Sequence, residues 1–481
     1  MNHSNYNDAL ADRYAGKEMT ELFSDEVKFQ TWRKCWIALA EAERELGLED
    51  IISKEAIEEM KKNTDNINFK DAEEKEKQIK HDVMAHVWAY SKQCPKAAKI
   101  IHLGATSQFV GCNTDLILQK KAIDIVKKRL VNVIFHLMQF AKKYKALATL
   151  GYTHFQPAQP TTIGKRATLY IADLLLDLKS IEFAESLIKA KGAKGTVGTQ
   201  ASFLELFGGN KSKVKQLDLL IAKKLGFDGI YEVTGQTYSR KIDTKISEAL
   251  AGIACSAYKF ASDMRLAAHL KIMEEPYGKS QTGSSAMPYK RNPMHSERMC
   301  ALSRILMNMP AEFYMTHSNQ WFERTLDDSA ARRVEIPRSF LLADSILLLY
   351  ESIASGIIVY PAQVKLHLTK ELPFMAIEEI LMKCAKQGKS RQEMHEILKK
   401  HALEAGNKIK KEGAQNDFFS RIAKDSRIPL SKKELDFSLE NPGKFTGTAE
   451  SQTEEFIRET VAPVLRKHKN MIEKPINEIE V

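Results

Sequence analysis

Seven apolar residues, Ile123, Val126, Leu130, Val133, Leu137, Phe140 and Tyr144, recur at alternating steps of three and four. That is a heptad seam, and it demands a long helix whose apolar face other helices must cover. A second such stretch runs from Thr161 to about Lys191, between Pro160 and Gly192. A third spans Arg240 to Leu270, with Ile242, Ile246, Leu250, Ile253, Ala257, Phe260, Met264 and Ala267 in line. Further helices are expected over about 293–319 and 337–355, with Pro337 suited to a first turn, where its missing N–H costs nothing. Five such helices, several longer than about 25 residues, exceed what a monomeric bundle of this size requires. The seams suggest helices shared between subunits, with a single-chain bundle as the alternative.

The flanks read differently. A chain of 481 residues holds about three domains of roughly 150 residues each, and the boundaries expected are 1–106, 107–359 and 360–481. In the first unit, Ser24-Asp25-Glu26 caps a helix running to about Leu46, with Phe29, Trp32, Trp36, Leu39 and Ala40 on one face. Asp12-Arg13-Tyr14 lies just ahead of it. Lys80-His81-Asp82-Val83-Met84-Ala85-His86 invites a zinc reading, but His81 and His86 are five apart, about 140° on a helix, whereas a chelating pair is four apart. No metal site is expected. Gly104-Ala105-Thr106-Ser107 is a hydroxyl-bearing turn ahead of the first long helix. Residues 192–199 and 227–236 are the plausible extended pieces. After Tyr360-Pro361 a compact helical unit follows, in which Ser390-Arg391-Gln392-Glu393 forms a capping box. Gly443, Thr446 and Gly447 suggest a loop.

Hydrophobic content of 43% and charged content of 28% belong to a soluble globular protein. The six cysteines are scattered without a Cys-x-x-Cys pair, which points to reduced thiols rather than a disulfide framework. The polar start of the chain is not followed by an apolar signal core, and no apolar run approaches the ~18 residues that span a bilayer. A cytoplasmic protein that meets no membrane is expected. The net charge of +10 raises the question of nucleic acid. However, most lysines alternate with acids, as in Glu73-Glu74-Lys75-Glu76-Lys77, a solvated helix face. Anionic small molecules fit this charge better than nucleic acid. Gly-Lys-Ser occurs at 278–280 and 388–390, but Met273 and Lys383 stand where a phosphate-binding loop needs its first glycine. No dinucleotide fingerprint and no Gly-x-Ser-x-Gly elbow occurs, so no cofactor is expected.

Three polar segments remain. Between Glu274 and Pro293 the helical period stops, and the run Gly283-Ser284-Ser285-Ala286-Met287-Pro288-Tyr289-Lys290-Arg291-Asn292-Pro293 places two cations ahead of a proline. A loop of this length is mobile or a working lid. Thr153-His154-Phe155-Gln156-Pro157-Ala158-Gln159-Pro160 sets a histidine in a proline-bounded turn between two long helices; taken alone, such a histidine reads as structural. The third segment is Gln320-Trp321-Phe322-Glu323-Arg324-Thr325-Leu326-Asp327-Asp328-Ser329, followed by Arg333.

The first two segments match the signatures of the fumarase/aspartase superfamily. Tyr289, Arg291, Met294-His295-Ser296-Glu297-Arg298 and the third segment resemble the adenylosuccinate lyase family in particular. The resemblance covers nearly the whole chain in register. It implies an all-α, three-domain fumarase/aspartase-like fold whose long central helical bundle is shared in a homotetramer, five helices coming from each subunit. It implies β-elimination of fumarate from adenylosuccinate, giving AMP, and from the succinylated aminoimidazole carboxamide ribotide of purine synthesis. By that resemblance Ser284 is the base and His154 the acid, while His81 contacts substrate. Lys290 and Asn292 stabilise the carbanion, and Glu297 orients the histidine. Chemistry alone would not choose a serine as base; the resemblance carries that role. The positions matching substrate contacts are Arg13, Tyr14, Lys80, His81, Asp82, Thr106, Ser107, Gln236, Arg298, Arg324, Ser329 and Arg333. Arginine forks suit carboxylates and phosphate. Lys80 departs from the pattern, since many relatives carry Arg there; it keeps the charge and loses the two-point geometry. Each site is expected to draw residues from three subunits. The alternatives are a sister lyase, such as argininosuccinate lyase, fumarase or aspartase, and a non-catalytic structural relative.

Overall fold

The computed structural model describes residues 4–278, 281, 283–431, 434–435 and 442–473. Ser24 opens the first long helix as its sequence predicts: its side chain accepts from the Val27 N–H at 3.3 Å, and the helix runs Asp25–Glu45. Its buried face carries Trp32, Cys35, Trp36, Leu39 and Ala42. That face packs against the start of Ser107–Lys143 and against Lys211–Lys224, forming the core of the N-terminal region.

The heptad seam lies in Ser107–Lys143, a helix of 37 residues, or roughly 55 Å at 1.5 Å per residue. Ile123, Val126, Leu130, Val133 and Leu137 are fully buried. The helix packs on Ile163–Ser186 and on Asp328–Gly356, while Lys241–His269 packs on Ile163–Ser186, Met294–Asn308 and Asp328–Gly356. These five helices share one continuous core.

Two of the five differ from expectation. The helix expected over about 293–319 is jointed: Met294–Asn308 ends at Met309, and Pro310–Ser318 restarts with proline in its first turn, because Pro310 has no N–H to continue the ladder. The helix expected over 337–355 starts at Asp328, so Pro337 lies inside it rather than at its start. By length and composition this helix also passes as a membrane span, contrary to the expectation that no apolar run comes close; 78% of its most apolar window is buried, as in the core helix of a soluble fold.

The extended structure is also elsewhere than expected. Residues 192–199 and 227–236 contain no strand; near them the chain makes only an isolated bridge, Ala190 to Ile230. Instead Ala148–Thr153 and Gln156–Thr162 form an antiparallel hairpin with a bulge at Gly151. The prolines at 157 and 160 argue against a strand in sequence, yet a two-stranded ribbon has free edges where their missing N–H groups go unneeded.

Pro361–Met375, Ile377–Lys386 and Arg391–Glu412 follow. With the short helix Phe418–Ile422 they carry a separate apolar cluster containing Ile380, Leu381, Leu398 and Phe418. Ser390 caps the last of these helices, its hydroxyl accepting from the Glu393 N–H. The chain then returns to the central bundle, where Val461 and Leu465 join its core.

One buried group makes a stability prediction. Glu43 is fully buried with neither carboxyl oxygen hydrogen-bonded among the described residues, and burial pushes it from its ordinary 4.5 up to about 9. The folded state therefore holds a proton that the unfolded chain releases. Stability relative to a Glu43→Gln variant should fall by up to about 1.4 kcal/mol per pH unit as pH rises from 4.5 towards 9. Denaturation at pH 5 and pH 8 checks it: the variant matches native at the lower pH and is the more stable at the higher.

Candidate active site

A cavity of about 680 Å³ opens between the N-terminal helices and the first turns of Asp328–Gly356. Seven of the residues expected to contact substrate line it: Lys80, His81, Asp82, Ser107, Arg324, Ser329 and Arg333. Local structure explains their convergence. Phe69–Ile79 ends at Lys80, whose φ of 54° turns the chain sharply, and His81 then caps Asp82–Gln93. His81 Nδ1 accepts from the Met84 N–H at 3.4 Å, which leaves the proton on Nε2 to be donated to Ser107 Oγ at 3.2 Å. Asp82 Oδ1 accepts from the Val83 N–H at 2.7 Å, and Arg333 donates to Oδ2. Burial works to raise the Asp82 carboxyl, but the Arg333 hydrogen bond and charge hold it below the usual carboxylate range. The wall thus presents an ionised carboxylate beside several cations.

Thr106 sits at the N-cap of Ser107–Lys143 with extended backbone, and its buried hydroxyl has no hydrogen-bond partner among the described residues. Gln236 accepts from Arg324 Nη1 at 2.7 Å, and its own N–H donates to the Glu323 carbonyl. These two bonds fix the Arg324 segment against the chain at 236. His86 has a different place: it is buried and stacked on Phe29 at 3.8 Å, and burial pushes its imidazole down to about 4, so it is a neutral core residue.

The other expected residues lie elsewhere. In the loop, Ser284 Oγ accepts from the N–H groups of Ala286 at 3.3 Å and Met287 at 3.1 Å, a pair of donors that favours negative charge on that oxygen. Asn292 Nδ2 donates to the Gly283 carbonyl at 2.7 Å, and Lys290 is exposed. Glu275 ties the loop base to Met294–Asn308 by accepting from the N–H groups of His295 and Ser296, both at 2.9 Å. Lys279, Ser280 and Thr282 of this loop lie outside the described residues. Exposed Glu297 lines a separate open hollow with Ser262 and Arg265. Arg298 lies over the Tyr14 ring at 5.3 Å; Tyr14 and Arg13 occupy the single turn Leu10–Tyr14.

His154 lies in a turn between two long helices, as expected, and that turn is the exposed two-residue tip of the hairpin. Both His154 and Phe155 have positive φ, 53° and 54°. Such a turn normally takes Asn-Gly, and a bulky Phe there stores strain of the kind that collects at functional positions. Among the described residues, none of His154, Ser284, Lys290 and Glu297 lines the large cavity.

Among the cavity residues that sequence reasoning missed are Gln108, Asp115 and Arg332. The buried pair Arg240–Asp328 behind the wall was missed as well. The adjacency of Arg332 to Arg333 was the one available signal. Residues 88 positions apart in sequence, as Arg240 and Asp328 are, give none.

Comparison with known proteins supplies the context. Residues 10–307 match the family described as Lyase, and residues 373–456 match Adenylosuccinate lyase C-terminus. The adenylosuccinate lyase of Saccharomyces cerevisiae is 49% identical over 466 residues, covering 96% of each chain. The chain belongs to the adenylosuccinate lyase family. The family member from Schizosaccharomyces pombe is 48% identical over 98% of each chain, and that from Bacillus subtilis is 30% identical over 83% of this chain and 89% of its own. Among solved structures, 3-carboxy-cis,cis-muconate lactonizing enzyme from Pseudomonas putida superposes with a TM-score of 0.81 over 97% of this chain and all of its own, at 21% identity. Fumarate lyase from Mesorhizobium gives 0.79 over 93% and 99%, at 20%. At that identity the two structures speak for the all-α fold alone. Membership makes this chain a carbon–nitrogen lyase, and the three polar segments that suggested the family are the ones placed around the cavity, at the hairpin tip and in the loop.

Proposed function

We propose that this chain removes fumarate by β-elimination from adenylosuccinate, giving AMP, and from the succinylated aminoimidazole carboxamide ribotide. The observation that carries the reading is near-half identity to an adenylosuccinate lyase along 96% of the chain, joined to a cavity walled by Lys80, Arg324, Arg332 and Arg333. A nucleotide bearing a phosphate and two carboxylates needs that many cations, and fumarate alone does not. The elimination requires a base for a proton beside a carboxylate, donors for the carbanion and an acid for the leaving nitrogen. Ser284 takes the first role, aided by the Ala286 and Met287 N–H groups. Lys290 and Asn292 take the second and His154 the third, with Glu297 orienting the histidine. His81, Asp82 and Ser107 hold substrate in the cavity together with Thr106, Gln236, Ser329 and the arginines. Arg13, Tyr14 and Arg298 complete the contacts.

The working assembly is a homotetramer in the cytoplasm. What supports sharing between chains is the outer face of Ile163–Ser186, where Leu169, Leu176 and Phe183 stand seven residues apart and are 52%, 62% and 59% exposed. Such a stripe is a coiled-coil seam without a partner. The separation of His154 and Ser284 from the cavity has the same sense: three patches of one chain become one site when chains combine.

A spectrophotometric assay offering adenylosuccinate, argininosuccinate and malate in parallel tests the activity. Turnover is expected with adenylosuccinate alone of the three. Equal or faster turnover of argininosuccinate would reassign the chain to a sister lyase.

A further inference from the structure

Behind the cavity wall lies a buried ion pair, Arg240 and Asp328, to which none of the reaction roles above refers. Asp328 is 0% exposed, at the first position of Asp328–Gly356, and does not itself line the cavity. Its Oδ2 accepts from Arg240 Nε at 2.9 Å and Arg240 Nη2 at 2.6 Å. Arg332 Nη1 reaches the same oxygen at 3.4 Å, and Arg324 Nη2 reaches Oδ1 at 3.5 Å. Arg332 stands one helical turn after Asp328, and Arg324 lies four residues before it in the irregular segment that leads into the helix. Both line the cavity, and Arg240 does not.

We propose that Asp328 is a positioning residue for the lyase reaction, holding Arg324 and Arg332 as a preformed cationic pair for an anionic group of the substrate. This rests on reading the cavity as the substrate site.

A carboxylate at this depth is costly to desolvate unless it is fully paired. Arg240, whose guanidinium is 1% exposed, supplies the main pairing, but both of its hydrogen bonds reach Oδ2, and it is Arg324 that reaches Oδ1. The contacts to Arg324 and Arg332 work in both directions. They restrain two long side chains whose freedom would otherwise be lost on meeting ligand, and preorganised groups bind more tightly for that reason. Each arginine keeps a second restraint, Gln236 for Arg324 and Asp115 for Arg332, so that Asp328 is the one group joining the two.

Asp328→Asn tests the role, since an amide keeps the shape but loses the charge and turns an N–H donor towards an arginine. With the folded full-length protein, KM for adenylosuccinate should rise by about tenfold or more, the scale of one charged hydrogen bond. The inhibition constant for inorganic phosphate, used as a simple anion probe, should rise with it, and kcat should change less than KM. A purely structural role would lower thermal stability or the active fraction, and kcat with it, and leave KM unmoved. KM within twofold of native overturns the proposal. Arg324→Ala separates the two readings: if it too leaves KM unchanged, the cavity is not the substrate site, whereas a raised KM there beside a normal one in Asp328→Asn counts against Asp328 alone. Should Asp328→Asn not fold, Asp328→Asn/Arg240→Gln removes both members of the buried pair and is read in the same way. Failure of both to fold assigns the cluster to stability and overturns the proposal.

Discussion

His154→Gln is expected to leave the protein folded and to lower turnover by at least ~10²-fold, the usual loss when a general acid is removed. His154 is exposed at the hairpin tip, and no hydrogen bond to its ring is present among the described residues. Its removal therefore costs the fold little, and any loss of rate reports chemistry. Circular dichroism and melting temperature should match native while turnover collapses. Near-normal turnover would take His154 out of the mechanism, and the strained His154–Phe155 turn would then need another explanation.

Ser284→Ala is expected to cost about 10²–10⁴ in turnover, with KM altered far less. The hydroxyl oxygen accepts from two backbone N–H groups, and both bonds persist as stabilisation for whatever negative charge the oxygen takes on. The alanine variant loses the proton acceptor together with the two hydrogen bonds that the hydroxyl accepts from the exposed Ala286 and Met287. A variant retaining more than about a tenth of native turnover would fall outside the loss expected of a missing base and would move that role to another group.

How much of this was legible in sequence differs by element. The heptad seam placed Ser107–Lys143 and its partners, because burial of Ile123 to Leu137 depends on period alone. Proline is the less legible signal. Pro337 suits the first turn of a helix but lies within Asp328–Gly356, and Pro157 and Pro160 conceal a hairpin. Proline states what one backbone N–H cannot do; its neighbours decide whether that N–H was needed. At the site, the motifs identified residue types, and the structure gathered seven of them into one cavity. The supports behind them, Asp328 with Arg240, arise from contacts between distant segments, which periodicity does not encode. His86 was partly legible, since Val83 and Tyr90 flank it at steps of three and four on a buried face.

The central claim is that one site draws its residues from more than one chain, and mixing two inactive variants tests it directly. His154→Gln and Ser284→Ala proteins are dissociated together in equal amounts and allowed to reassemble. If the two residues come from different subunits, random mixing leaves up to about a quarter of the sites with both native groups, and adenylosuccinate lyase activity returns towards that fraction. Mixed assemblies that demonstrably form and yet stay inactive would place both residues in one chain and contradict the shared site.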